Sequence, residues 1–142
     1  MSDHLSLAEE AAHSQAEYDA GDRNPTDDIF VVERPWGDFR QFVSNETVTV
    51  KIITVAPGHR LSLQRHRHRG EMWQVLDVPI DITVDDRRWV AAAGETVWVP
   101  HGSLHRMGNS GSEPGRLLEV GFGHFDEADI ERIEDDYARQ DD

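Results

Sequence analysis

The sequence predicts one all-β domain, a sandwich or barrel of short strands. Three observations lead there. Turn signals recur about every 8 to 12 residues between short apolar runs, the pattern of antiparallel β folds. The clearest run, residues 47–55, alternates and is β-branched almost throughout, which suits a pleated, half-buried strand. A chain of 142 residues is long enough for one core and short for two.

The elements follow in order. Residues 1–28 are acid-rich, with Leu5, Ala8, Ala12 and Ala16 at a weak helical spacing before the breakers around Pro25. They are expected to form an arm, flexible or with a short helix, ahead of a domain spanning residues 29–142. A strand is predicted at residues 29–32, a turn at Arg34-Pro35-Trp36-Gly37, and extended chain at 38–43. In residues 47–55 one face carries Val48, Val50, Ile52 and Thr54, the other Thr49, Lys51, Ile53 and Val55. Lys51 thus lies mid-strand, either snorkelling at a sheet edge or meeting an anion inside a barrel. Further strands are predicted at 72–78, at 80–84 with an Asp85-Asp86 hairpin turn, from Trp89, at 96–99 and at 116–122. From Asp126 the apolar period changes: Ile130, Ile133 and Tyr137 recur at i, i+3 and i+7, which predicts a short C-terminal helix capped by Asp126.

Composition excludes several classes. The sequence has no cysteine, so disulfides and thiolate metal sites are ruled out. It has no long apolar run and an acidic N-terminus, so neither a membrane span nor a signal peptide is expected, and the cytoplasm is the default location. A formal charge of −14 makes nucleic acid and anionic membranes poor partners. Lys51 is the only lysine among 14 basic residues.

Two stretches carry chemistry. Residues 58–73 gather Gln64, His66, His68 and Glu71, side chains that suit a borderline or hard divalent ion. Gln64 and His66 share one strand face; Arg69, Glu71 and Trp73 share another. The step from His66 to Glu71 has the wrong parity for one straight strand, so a turn or bulge at residues 68–70 must bring the sets together. The second stretch is Pro100-His101-Gly102-Ser103-Leu104-His105-Arg106-Met107-Gly108-Asn109.

Together these stretches resemble the cupins, double-stranded β-helix (jelly-roll) barrels with one metal inside. The second cupin motif, G-x5-P-x-G-x2-H-x3-N, is matched throughout by Gly94, Pro100, Gly102, His105 and Asn109. In the first motif Gly58, His66 and Glu71 match, Gln64 stands at the first histidine, and Val78 replaces the closing glycine. The run Gln64, His66, Arg69, Glu71, Trp73 is similar to the signature of type II mannose-6-phosphate isomerases. So are the turn at Arg34, the Lys51 strand, Leu61-Ser62-Leu63-Gln64 and the ending from Asp129 through Arg139, about residues 30 to 139. In that family the domain commonly follows a nucleotidyltransferase domain. These residues carry no Gly-rich nucleotide loop, so only the isomerase-like portion is expected.

The resemblance implies that Gln64, His66, Glu71 and His105 ligate one divalent ion (Zn, Mn, Ni, Fe or Co). It implies interconversion of an aldose phosphate and a ketose phosphate, with proton loss beside a carbonyl. Arg69 could stabilise the resulting enediolate, His68 is one candidate for the proton shuttle, and Lys51 and Arg139 are candidates for the phosphate or for site closure. Trp73 and Trp98 are expected in the core. The alternatives are a non-catalytic or regulatory sugar-binding cupin and a cupin oxygenase. A homodimer joined through sheet edges is the default assembly.

Overall fold

A computed structural model describes residues 24–137. The expected arm, residues 1–28, lies mostly outside that span; its end forms a 3-10 turn at Pro25–Asp28, capped by the Asn24 side chain. Eleven strands follow: β1 Phe30–Arg34, β2 Gly37–Gln41, β3 Val48–Val55, β4 Leu63–Arg65, β5 Glu71–Val75, β6 Ile80–Val84, β7 Arg87–Ala91, β8 Thr96–Val99, β9 His105–Gly108, β10 Gly115–Phe122 and β11 Glu131–Glu134. β1 and β2 form a hairpin of their own. The rest make a four-stranded sheet, β3-β10-β5-β8, and a five-stranded sheet, β11-β4-β9-β6-β7. All pairings are antiparallel, and the jelly-roll barrel expected from the sequence is the fold of the chain.

Alternation decides what lies between the sheets. Val55, Trp73, Val75, Ile82, Val97, Met107 and Leu117 form the main buried cluster. A smaller cluster on the outer face of the four-stranded sheet joins Met72, Val120 and Phe122, with Ile29, Phe42 and Val43 of the hairpin region packed on it. On β3, the face of Ile53 and Val55 turns inward and Val50 and Ile52 are exposed. Lys51 has the inward parity. It is exposed, on an edge strand, and lines the pocket mouth, a position that both readings open from the sequence share.

The expected C-terminal helix is a strand. β11 adds to the open edge of β4, pairing Glu131 with Arg65 and Arg132 with Gln64, with a bulge before Glu134 meets Leu63. Two isoleucines and a tyrosine over two helical turns are too little to hold an isolated helix. Edge pairing supplies backbone hydrogen bonds, and ion pairs of Glu131 with Arg65 and Glu134 with Arg106 reinforce it. The Asp126 side chain accepts from Ala128 N–H at 2.9 Å, so its capping chemistry serves a turn.

The bend expected at residues 68–70 is present between β4 and β5, and Gly70 is confined there. A Cβ on Gly70 would sit 2.3 Å from Trp98 Cη2. Gly70→Ala is expected to cost about 1–3 kcal/mol by overpacking, measured as a lowered denaturation midpoint. An unchanged midpoint would show that the Trp98 ring yields freely.

Candidate metal centre

The two sequence motifs meet in space. The Gly102 N–H donates to the His66 carbonyl at 2.7 Å, with Gly102 at φ +79°, a conformation glycine adopts without strain. β4 pairs Gln64 with His105 on β9, while β5 brings Glu71 from the opposite sheet. His66, Glu71 and His105 are buried, and one ligand atom from each lies within 4.8 Å of the others. They line a pocket of about 760 Å³ with Gln64, Lys51, Arg69, Trp73 and Glu119.

Each ligand is oriented by a partner. His66 Nδ1 donates to the Asp129 carbonyl at 2.7 Å, and His105 Nδ1 to the Ser103 carbonyl at 3.1 Å. Both rings therefore turn an Nε2 lone pair toward Glu71. Burial pushes His105 down to about 4, against the pull of the Glu71 charge, so it is neutral at pH 7. Burial also lowers His66. For Glu71, burial opposes ionisation, but His105, His66 and Arg69 outweigh it and hold the carboxyl below its usual range. Glu71 accepts from Arg69 Nε and from Trp73 Nε1, each at 3.1 Å.

The donor set fits a divalent ion. Two neutral imidazoles and one carboxylate match its ligand chemistry. The buried His105 Nε2 has no hydrogen-bond partner in the protein, an uncommon state for a buried polar atom. Gln64 points the same way from the neighbouring strand, and its amide makes only a long 3.5 Å contact to the Ser62 carbonyl.

Not every residue singled out in the sequence gathers here. His68 is exposed on the turn and does not line the pocket. Arg139 lies outside the described residues. Lys51 does line the pocket, its Nζ 4.1 Å from the centre of the Phe125 ring. Arg69 lies 4.3 Å from the same ring centre, and its Nη1 donates to the Asp126 carbonyl. Trp73 is core, as expected, and is also a donor to Glu71.

Phe125 and Glu119 are participants that the sequence did not single out, and Asp129 and Arg132, part of the family-like ending, take places here that the expected helix did not give them. Glu119 was legible, because the alternation of residues 116–122 puts it on the inner face with Leu117 and Gly121. Burial and the Glu71 charge raise its carboxyl to about 8. Asp129 ties down the loop that carries His66: its carboxylate accepts the Arg67 and His68 N–H groups at 2.9 Å each. Burial works against its ionisation, but those two hydrogen bonds hold it below the ordinary value. Asp129→Ala keeps the backbone carbonyl that orients His66 but frees the loop its carboxylate ties down, so it is expected to loosen metal binding by about 10-fold, the low end of what disturbing an orienting group costs. A metal titration of the two proteins checks it, and equal affinities would exclude that role for the carboxylate.

Comparison with known proteins identifies the family. The model of the mannose-6-phosphate isomerase C-terminal family matches residues 21–135. The alginate biosynthesis protein AlgA of Pseudomonas aeruginosa is 37% identical over 96% of this chain and 28% of its own length. The mannose-1-phosphate guanylyltransferase ManC of Salmonella typhimurium is 38% identical over 76% of this chain and 23% of its own length. The chain thus spans about a quarter of these relatives. Among solved structures, a cupin-superfamily sugar phosphate isomerase from Silicibacter pomeroyi aligns at TM-score 0.50 and 22% identity over 54% of this chain and 51% of that one. The capsular polysaccharide assembling protein CapF of Staphylococcus aureus aligns at TM-score 0.57 and 19% identity over 75% of this chain and 32% of that one. These structural matches bear on the fold alone. From the family match and the two sequence relatives, the chain belongs to the mannose-6-phosphate isomerase C-terminal family of cupin domains.

Proposed function

We propose that this domain is a metal-dependent isomerase of sugar phosphates, with mannose 6-phosphate and fructose 6-phosphate as the substrate pair. The observation that carries the reading is the buried set His66, Glu71 and His105 at the floor of a pocket whose walls also hold Lys51 and Arg69. Gln64 completes the ligand set as a neutral oxygen donor. A divalent ion held there would supply the positive charge that holds the carbonyl and hydroxyl oxygens of the sugar and favours charge development on them.

The chain's own groups do the rest. Arg69 is fixed by Glu71, Asp126 and the Phe125 face, so its guanidinium stands ready beside the oxygens where negative charge develops during proton loss. Trp73 and Phe125 give that end of the pocket an apolar lining. Lys51, and Arg139 beyond the described residues, are assigned to the substrate phosphate or to closing the site. The exposed Trp36 (72%), Val50 (55%) and Ile52 (57%) support a homodimer formed over the β1–β2 hairpin and β3 edge.

The test is direct. Metal-loaded protein mixed with mannose 6-phosphate is followed for fructose 6-phosphate, with oxygen uptake recorded alongside. Turnover without oxygen uptake is expected. Sugar binding with no turnover under any divalent metal would leave a sugar-binding module instead, and oxygen uptake would point to an oxygenase.

A further inference from the structure

The pocket is lined by four cationic side chains, Lys51, Arg69, Arg106 and Arg132, and they are not equivalent. Arg69 is committed to the reacting end: its Nε lies 3.1 Å from Glu71 Oε2 and its Nη2 3.3 Å from His66 Nε2. Arg106 follows the inward-facing His105 and so has the outward parity. Its Nε donates to the Leu61 carbonyl and its Nη1 to Glu134.

The other two occupy matching places. Arg132 on β11 is the cross-strand neighbour of Gln64, which is the neighbour of His105. Lys51 on β3 is the cross-strand neighbour of Glu119, which is the neighbour of Trp73 on β5. Directly paired residues share a face. Lys51 therefore stands two strands, roughly 10 Å, out from β5, which carries Glu71, while Arg132 stands one strand out from Gln64 and two from His105. β3 and β11 are the edge strands of their two sheets, so the pair approaches one pocket from opposite walls. A sugar phosphate has the same asymmetry: the carbonyl end must reach the ligand cluster, and its phosphate lies at the far end of the carbon chain.

We infer that Arg132 and Lys51 form a two-walled clamp for the substrate's terminal phosphate, with Arg132 the residue that selects phosphorylated over neutral sugars. This deepens the isomerase reading and rests on it. Arginine suits the task, because its planar fork offers paired donors to phosphate oxygens while lysine acts as a point charge.

The experiment is calorimetric titration of metal-loaded wild type, Arg132→Gln and Arg132→Lys with mannose 6-phosphate and with mannose. Arg132→Gln is expected to weaken mannose 6-phosphate binding roughly 10- to 100-fold and to leave mannose binding and metal content unchanged. Arg132→Lys is expected to fall between. In turnover the loss should appear in KM rather than kcat. If Arg132→Gln keeps the wild-type preference for the phosphorylated sugar, the clamp is wrong while the isomerase reading stands. If wild type binds both sugars equally, that reading falls and the clamp falls with it. If both variants lose metal and sugar together, Arg132 is a structural residue and the inference is overturned.

Discussion

His105→Ala is expected to abolish metal retention. His105 is buried, its Nδ1 is fixed on the Ser103 carbonyl, and its Nε2 has no hydrogen-bond partner in the protein. Removing it takes away one strong donor from a three- or four-donor set. Structural zinc sites contribute about 10–16 kcal/mol in all. One ligand therefore carries about 3 kcal/mol, which is roughly 100-fold in affinity or more. The ring also packs edge-on against Trp73 at 5.6 Å between centroids and lies 4.9 Å from the His66 ring, so the alanine variant will be less stable as well. Two measurements separate these effects. Metal content after dialysis reports the ligand, and the denaturation midpoint of the metal-free proteins reports the packing. An alanine variant that binds metal as tightly as wild type, in competition with a chelator of known affinity, would refute the ligand assignment whatever its stability. The function proposed for the domain would then lose its basis.

How far the sequence reading reached depended on what each residue had to reveal. Strand positions were legible because alternation over Thr49, Lys51, Ile53 and Val55 is a local property, fixed by the pleat. The bend before Glu71 was legible from parity alone. His105 could be assigned because Gly94, Pro100, Gly102 and Asn109 frame it at a fixed spacing. Asn109 acts through that frame: its Nδ2 donates to the Val55 and Glu113 carbonyls. The C-terminal segment was misread because Ile130, Ile133 and Tyr137 do fall at helical spacing, and nothing local reveals an open strand edge waiting at β4. That error also hid Arg132, whose role depends on lying beside Gln64 in the sheet. Phe125 and Asp129 were illegible for a related reason. They act from a loop folded back over the pocket, and only tertiary contacts define where such a loop lies. Glu119 differed, since its inward parity was plain and only its proximity to Glu71 was missing.

In the metal-free protein, Glu119→Gln is expected to remove most of a loss of stability that develops between pH 4.5 and pH 8. Burial first, and then the charge on Glu71, raise the Glu119 carboxyl from 4.5 to about 8. The folded state therefore holds a proton that the unfolded chain releases above pH 4.5. Folding stability attributable to this group is intact below that value. It declines as pH rises and levels off above pH 8, where both states are ionised. The full excursion is roughly 5 kcal/mol at 1.36 kcal/mol per unit. Glutamine keeps the size and the hydrogen-bond donor of the protonated acid but has no proton to lose. Wild type and variant should match near pH 4.5, and the variant should be the more stable at pH 8. His105 works on the opposite side: its folded value near 4 costs stability as pH falls below the ordinary imidazole range. It does so equally in both proteins, so the difference between them isolates Glu119. Chemical denaturation across pH 4.5 to 8.5 measures that difference. Parallel profiles would mean that Glu119 ionises normally and that the two carboxylates do not share a buried environment. Loading the centre adds positive charge beside Glu71 and opposes the second cause of the shift, so the wild-type slope should shrink when metal is bound.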